Sequence, residues 1–349
     1  MFLDSKGVML FERGGRHSHE VMVTGSGPGE RVWAIVLAGG QGTRLKPLVE
    51  RIHADGRPKQ YAVLMGRRSL LRHTLDRAAL AIPPDRIVVV TTKSHAAYFG
   101  SEFSEPGPAK VLVQPHDRGT AAGILLPVHW IAWRDPGATV VILPSDHFVA
   151  DEEAFMRHIA SLFSVAERHP DRILLVGATP ESPESGYGWI QPGIELEKGP
   201  SGDIRTVDRF VEKPSPAEAR ACLARGGVWN TFVMVARASA LIEAGRLALP
   251  ELHERLRRIR PYAGTSAEPS AIERAYALAP TANFSQSVLA SSPGRLAVSR
   301  LPAVSWSDWG TPERVLETLH REGIAPAWLT GGAKATPVIP RRVSAEGSL

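Results

Sequence analysis

A short apolar run that leads directly into a glycine cluster is the feature of this sequence that most constrains its fold. Residues 32–37 read Val-Trp-Ala-Ile-Val-Leu, and residues 38–44 read Ala-Gly-Gly-Gln-Gly-Thr-Arg. An apolar run bounded by glycine is typical of a buried parallel strand that presents a backbone turn to a ligand. Glycine permits φ > 0 and brings bare N–H groups close to phosphate oxygens. The stretch therefore predicts a buried strand followed by a phosphate-binding loop.

Two cations accompany this loop. Arg44 offers a fork of donors suited to bidentate phosphate binding. Lys59 offers a mobile point charge, and Pro58 stiffens the backbone before it. The candidate nucleotide-binding residues of the loop itself are Leu37, Ala38, Gly39, Gly40, Gly42 and Thr43.

The glycine cluster allows three other interpretations. A P-loop ends in Gly-Lys-Ser/Thr, which is missing here. A dinucleotide-binding fingerprint needs a third glycine where Leu45 stands. An ordinary strand-loop-helix turn explains the glycines alone, but not their combination with Thr43-Arg44 and with Arg57-Pro58-Lys59. That combination favours a nucleoside triphosphate site.

The sequence from residue 32 to about 180 predicts a Rossmann-like α/β fold. Apolar strands alternate with helical patterns, which is typical of a mainly parallel sheet with helices on both faces. The predicted strands are 32–38, 86–91, 110–113, 138–143 and 172–178, and the predicted helices are 69–81, 119–134 and 152–169. Ligands of such sheets gather at the carboxyl ends of the strands.

After residue 180 the pattern changes to a smaller, mixed α+β part. Predicted strands are 186–191, 204–211, 228–236, 295–300 and 303–306, and predicted helices are 216–224, 239–259 and 269–278. A last helix is expected to start at Thr311, which caps it, with Pro312 at its first position. Residues 1–30 are predicted to be a largely disordered extension, and residues 326–349 a tail. The folded region is therefore 31–325, with its two parts divided at 180.

Composition excludes several classes of function. The chain has 349 residues and a formal charge of +5, without a long Lys/Arg block, so nucleic-acid binding is not expected. Its single cysteine, Cys222, rules out an internal disulfide and a cysteine zinc site. No apolar run reaches membrane-spanning length, and the N-terminus lacks a secretory h-region, so we expect a cytoplasmic protein without a membrane.

Two aspartates follow apolar segments at widely separated positions. Asp146 comes directly after the predicted strand 138–143, and Asp308 stands before a glycine turn in Trp306-Ser307-Asp308-Trp309-Gly310. A carboxylate at a strand end facing a phosphate loop is where Mg²⁺ is held. The alternative for Asp146 is a helix cap. The two aspartates can share a cation only if the fold brings them together.

Taken together, these motifs resemble the sugar-1-phosphate nucleotidyltransferases, and mannose-1-phosphate guanylyltransferases in particular. The resemblance covers about residues 32–320 in at least five motifs in the same order. It implies a GT-A-like fold with a nucleotide-binding half, 31–180, and a sugar-phosphate-binding half, 181–325. It also implies that Asp146 and Asp308 ligate Mg²⁺. Since the C-terminal isomerase domain of bifunctional relatives is not in this sequence, isomerase activity is not expected.

The resemblance assigns further site residues. Residues 114–122 are similar to the family's base-reading segment, in which Gln114 pairs with the base edge and Gly119 and Thr120 adjoin it. The sugar pocket is implied at Gly186, Glu212 and Asn230, with Lys213 contacting the phosphate of the sugar. The sequence departs from the family pattern at three positions, which are Asp117, Thr231 and Phe232.

The activity that this resemblance implies is nucleotidyl transfer from GTP to mannose 1-phosphate with Mg²⁺. Arg44, Lys59 and Lys213 are the implied catalytic residues, and a homo-oligomer is possible for such a protein. Two alternatives stay open. The nucleotide and sugar are UTP or dTTP and glucose 1-phosphate, or the chain is a non-catalytic relative that binds sugar nucleotide.

Overall fold

The structure is a computed structural model that describes residues 2–3, 9–10, 31–100, 102–103, 107–199 and 202–329. Near the N-terminus, β1 (Phe2–Leu3) pairs antiparallel with β2 (Met9–Leu10). The other residues of the predicted extension 1–30, and residues 330–349 of the predicted tail, lie outside the described residues. Trp328, inside the predicted tail, donates its indole N–H to the carbonyl of Leu64 at 2.9 Å.

The first half of the chain forms the parallel part of a nine-stranded sheet. Its strands lie in the order β5-β4-β3-β6, and all three neighbouring pairs are parallel. Their bounds are β3 (Val32–Leu37), β4 (Ile87–Thr92), β5 (Lys110–Gln114) and β6 (Thr139–Pro144). β4 and β6 are buried at every position, as expected for strands covered on both faces.

The second half continues the same sheet with mixed direction. β11 (Val228–Arg237) lies antiparallel between β6 and β8 (Ile173–Ala178). Beyond β8 come β12 (Leu296–Arg300), β10 (Gly202–Val211) and β9 (Trp189–Gly199). Because β9 also pairs with β11, these last five strands close into a ring.

Helices cover both faces of the sheet, which confirms the predicted fold class. The helices are α1 (Lys46–Ile52), α2 (Leu70–Ala79), α3 (Ala96–Phe99), α4 (Gly119–Arg134), α5 (Glu152–Arg168), α6 (Pro216–Ala224), α7 (Ala238–Ala248), α8 (Pro250–Arg257), α9 (Glu268–Ala277) and α10 (Pro312–Arg321). One apolar core contains residues of α4, α7, α8 and α9, and another contains residues of α2, α5 and α6. Their burial stabilises the sheet by the removal of apolar surface from water.

Three sequence predictions need correction and one is confirmed. The predicted helix 239–259 is two helices, since Pro250 lacks the N–H that would continue α7 and begins α8 instead. The predicted strand 186–191 starts only at Trp189 and runs to Gly199. The predicted strand 303–306 is the two-residue β13 (Trp306–Ser307). The cap is as predicted: Thr311 accepts a hydrogen bond from the backbone N–H of Arg314.

A small second sheet brings the two predicted aspartates to one place. β7 (Phe148–Val149) follows Asp146 and pairs antiparallel with β13, which precedes Asp308. The rings of Phe148 and Trp309 stack with centroids 5.0 Å apart. This pairing joins segments that lie far apart in the chain, so the sequence pattern did not predict it.

Candidate active site

The glycine loop is held open by a buried glutamine. Gln60 donates its amide to the carbonyls of Ala38 and Gly40, each at 2.9 Å. Gly42 has φ +60, and a Cβ placed on it would lie 2.8 Å from the Cβ of Lys59. Only glycine meets both conditions without strain, so the loop lies directly against the segment that carries Lys59.

Lys59 lies between the two aspartates. Its side chain is only 4% exposed, and its Nζ is 3.2 Å from Oδ2 of Asp146. The same ammonium donates to the backbone carbonyl of Asp308. The structure thus brings together Arg44, Lys59, Asp146 and Asp308 beside the glycine loop, as the sequence prediction required.

The two oxygens of the Asp308 carboxylate have different surroundings. Oδ1 accepts three hydrogen bonds: from Tyr187 at 3.1 Å, from Arg314 at 2.9 Å and from the backbone N–H of Gly310 at 2.8 Å. Oδ2 lies 3.8 Å from a guanidinium nitrogen of Arg44, which is 55% exposed. Since Oδ1 is saturated with donors, Oδ2 is the oxygen available to a cation or to substrate-bound water.

Charge in the site keeps both aspartates ionised. Burial disfavours the charged form of Asp146, but the Lys59 ammonium outweighs burial and holds the pKa of this carboxyl below its usual value. Burial likewise opposes ionisation of Asp308, and Lys59 and Arg314 together lower its pKa. Burial lowers the pKa of His147, beside Asp146, to about 4. The site therefore presents two carboxylates and a neutral imidazole at neutral pH.

The predicted base-reading residues lie on the other side of the loop. Gln114 is buried at the end of β5, and a Cβ on Gly39 would lie 3.0 Å from its Nε2. Its Oε1 accepts a hydrogen bond from the Tyr276 hydroxyl at 3.1 Å. Gly119, at φ +77, approaches the Ala282 backbone so closely that a Cβ would collide with it. This contact fixes the start of α4 against the second half of the chain.

Thr120 is used structurally. Its hydroxyl oxygen accepts a hydrogen bond from the backbone N–H of Phe284 at 2.8 Å. The segment from Phe284 in turn contains the π-helix Ser285–Leu289. Thr120 therefore connects the predicted base-reading segment with the wall of the predicted sugar pocket.

The predicted sugar-binding residues form a second cluster. A Cβ on Gly188 would lie 2.9 Å from a carboxylate oxygen of Glu212 and 3.3 Å from the Cβ of Asn230. Burial raises the pKa of Glu212 above its usual value. Lys213 is exposed and has φ +48. Gly186 lies on the side facing the aspartates, since a Cβ on it would be 2.9 Å from the Arg314 guanidinium.

Phe232 adopts a conformation that is unusual for a side-chain-bearing residue. Its φ is +61, at a register shift of β11 between Asn230 and Met234. The side-chain oxygen of Asn230 accepts a hydrogen bond from its backbone N–H at 3.0 Å, and Thr231 donates to the carbonyl of Val176 at 2.7 Å. These two bonds hold the bulge, so Phe232 keeps a backbone geometry that favours glycine.

Sequence reasoning missed the residues that connect the two clusters. Arg314 lies against the face of the Tyr187 ring, 4.3 Å from its centroid, and donates to Glu184 at 2.8 Å as well as to Asp308. Tyr187 adjoins the predicted Gly186, but the sequence pattern assigns it no role. The only local signal for Arg314 is its place in the first turn after the Thr311 cap, where helix side chains lean toward the N-terminus.

The carboxylates fit a magnesium ion bound together with substrate. Among the described residues, no group of three or more His, Cys, Asp or Glu side chains could hold a metal ion. Mg²⁺ needs no such group, because it is commonly bound through one or two carboxylates plus substrate phosphates and water. Asp146 and the free Oδ2 of Asp308 are hard oxygen donors on either side of the Lys59 ammonium.

Comparison with known proteins gives one family and several relatives. The family model described as nucleotidyl transferase matches residues 33–322. Xanthan biosynthesis protein XanB of Xanthomonas campestris pv. campestris is 29% identical over 296 residues, which cover 84% of this chain and 60% of XanB. Mannose-1-phosphate guanylyltransferase 2 of Escherichia coli O157:H7 is 28% identical over 228 residues, 63% of this chain and 46% of that protein. The chain thus spans less than two thirds of the length of these relatives.

A solved structure agrees with the same family. The crystal structure of a protein from Thermus thermophilus, titled mannose-1-phosphate geranyltransferase, superposes with a TM-score of 0.70 at 31% sequence identity. The match covers 82% of this chain and 79% of that one. In the described part of the chain, no helix is long and apolar enough to cross a membrane.

Proposed function

The chain belongs to the nucleotidyl transferase family, and from this premise we propose that it makes GDP-mannose and pyrophosphate from GTP and mannose 1-phosphate. A phosphate oxygen of mannose 1-phosphate attacks the α-phosphorus of GTP in line. The bond from that phosphorus to the bridging oxygen breaks, and pyrophosphate leaves. The attacking phosphate is already anionic, so the reaction needs no general base.

One observation carries the proposal. Two carboxylates and the ammonium of Lys59 converge beside a glycine loop whose φ +60 position lies against Lys59 itself. Phosphoryl and nucleotidyl transfer depend on positioning and on neutralising charge at the phosphates. A glycine loop with cations and paired carboxylates supplies both.

The catalytic residues act on charge. Lys59 neutralises the α-phosphate as negative charge develops there, and Arg44, more exposed, neutralises the leaving pyrophosphate. Lys213 orients the phosphate of the sugar from the exposed edge of the second cluster. The loop from Leu37 to Thr43 cradles the triphosphate with its backbone N–H groups.

Asp146 and Asp308 hold Mg²⁺ in this proposal. When bound, the ion supplies positive charge to the phosphate oxygens. Tyr187 and Arg314 hold the Asp308 carboxylate through Oδ1, so that its Oδ2 stays turned toward the nucleotide. The Asp146 carboxylate also holds the Lys59 ammonium in place before substrate binds.

The choice of mannose and guanine rests on relatives and on the second cluster. The E. coli relative is named as a mannose-1-phosphate guanylyltransferase. Glu212 accepts hydrogen bonds from sugar hydroxyls, Asn230 offers its amide, and Gly186 its backbone. Gln114 and the segment at Gly119 and Thr120 select the base.

The test is a substrate panel that measures pyrophosphate release with Mg²⁺. GTP, UTP, dTTP, ATP and CTP are each paired with mannose 1-phosphate and glucose 1-phosphate. We expect turnover with GTP and mannose 1-phosphate to exceed every other pair. Turnover with another pair alone would keep the chemistry and replace the substrates, whereas no turnover from folded protein that still binds GDP-mannose would favour a regulatory role.

A further inference from the structure

The closed ring of strands carries a basic cleft that the proposed reaction does not use. We propose that this cleft is a second binding site, for a small molecule that carries two phosphate groups. The cleft has a volume of about 560 Å³, and its arginines are Arg205, Arg225 and Arg300. None of its lining residues belongs to the candidate active site.

The cleft is built by several elements of the ring. β9 contributes Gln191 and Pro192 to one wall, and the start of β10 contributes Asp203 and Arg205. The turn before β11 and the end of β12 form the other wall. The buried side chains of Val228, Val298 and Leu301 belong to the apolar part of the lining.

The lining has an excess of positive charge. Three arginines face one aspartate, Asp203, so the formal charge of the lining is 3 − 1 = +2. Within the described residues, none of these three arginines forms an ion pair with a carboxylate. Many other arginines do form pairs, including Arg209 on the same hairpin, which lies 3.3 Å from Glu218. An unpaired group of cations in a concave site attracts anions.

Backbone contacts fix the walls and leave donors free. The Nε of Arg205 donates to the carbonyl of Gly193 at 2.8 Å, so its terminal nitrogens remain available. Gln191 donates to the carbonyl of Arg225 at 2.8 Å, which anchors the turn before β11. Arg300 makes only a long contact, 3.5 Å, with the carbonyl of Gly226. Guanidinium groups with free forks bind phosphate oxygens bidentately.

Size and polarity identify the class of ligand. Sites for small molecules have volumes of roughly 300–1,000 Å³, with apolar walls and a few placed polar groups. Several arginines suit more than one phosphate, and the apolar side chains suit a sugar ring or a base between the phosphates. A phosphorylated metabolite therefore fits this cleft better than an uncharged ligand.

The test is calorimetric titration of the full chain with fructose 1,6-bisphosphate, a probe that is not a substrate of the proposed reaction. We expect one saturable site in the wild type and at least about tenfold weaker binding in the Arg225→Gln/Arg300→Gln double variant, since each charge-assisted contact is worth a tenfold or larger effect. The Arg209→Gln variant is the matched control, because Arg209 lies on the same hairpin outside the cleft. Its affinity should equal that of the wild type.

Competition separates this site from the active site. Saturating GTP with Mg²⁺ should leave probe binding unchanged. Absence of saturable binding, equal affinity in the double variant, or displacement of the probe by GTP would each overturn the proposal. Circular dichroism checks that the double variant is folded. The readout is binding rather than turnover, so the result does not depend on the substrates of the enzyme.

Discussion

Arg314 donates from one guanidinium nitrogen to Oδ1 of Asp308 at 2.9 Å, and from another to Glu184 at 2.8 Å. The arginine is thus held at two points and fixes the rotation of the Asp308 carboxylate. The Tyr187 hydroxyl binds the same Oδ1. The remaining oxygen, Oδ2, is the one that the proposed reaction uses for Mg²⁺.

Replacing Arg314 should therefore weaken the response to metal. We expect Arg314→Gln to reduce activity about 10–100-fold and to raise the Mg²⁺ concentration needed for half-maximal activity, as for other residues that orient metal ligands. Magnesium titration of the initial rate measures this. Arg321→Gln, on the same helix and paired with Glu181, is the control. A fall in rate with an unchanged magnesium curve would contradict the orienting role.

Lys59 should be essential to the rate. Its ammonium lies 3.2 Å from Asp146 and carries the charge that stabilises the α-phosphate in the proposed transition state. We expect Lys59→Ala to lose on the order of 10²–10³ in kcat. Steady-state kinetics measure the loss, and Lys46→Ala, an exposed lysine nearby that pairs with Glu50, should change little. Near-full activity of Lys59→Ala would disprove the role.

Gly42 should tolerate no side chain. It has φ +60, and an added Cβ would lie 2.8 Å from the Lys59 Cβ. Gly56 has φ +66 with nothing within 4 Å of an added Cβ. Both alanine variants incur backbone strain of about 1 kcal/mol, but only Gly42→Ala also meets a steric clash, worth a further ~1–3 kcal/mol. Urea denaturation measures both free energies of unfolding, and equal losses would show that the loop adapts.

Phe232 should be backbone-strained. Its φ is +61 in the bulge of β11. Phe232→Gly and Phe232→Ala remove the same ring contacts, so their difference reports the backbone alone. We expect the glycine variant to be more stable than the alanine variant by about 1 kcal/mol, the reverse of the order in an ordinary strand. Thermal or urea unfolding of both variants checks this, and a more stable alanine variant would contradict it.

His129 should make stability depend on pH. Burial, with a smaller contribution from His253 at a ring-centroid distance of 5.1 Å, lowers the pKa of His129 to about 3. The unfolded chain, with an ordinary pKa near 6.5, therefore binds the proton first. The resulting stability is fully present above about pH 6.5 and is lost as the pH falls toward about 3.

Between about pH 7 and pH 5 this single histidine accounts for about 2 kcal/mol of the loss. A His129→Leu variant should lose correspondingly less stability over that range than the wild type. Urea denaturation at both pH values measures the difference. His320→Leu, at an exposed position of α10, serves as the control and should follow the wild-type profile.

Much of the fold could be predicted because its signals are local. The buried run of β3, the apolar β4 and β6, and the Thr311 cap with Pro312 each report the conformation of neighbouring residues. The same holds for the phosphate loop, since Gly42 at φ +60 is a position that only its own residue type explains. The places where the prediction was wrong are boundaries, as at Pro250, where one expected helix is two.

By itself, the sequence determined the strands, the order of the motifs and the residue types that suit phosphates and metal. The tertiary structure alone decided which of them meet. Lys59 reaches the carbonyl of Asp308 across 249 positions, and Tyr187 reaches its carboxylate across 121. The closure of β9 onto β11 and the pairing of β7 with β13 are of the same kind. Such contacts depend on loop closure and on the packing of whole elements, and neither leaves a periodic signal in the residues that eventually touch.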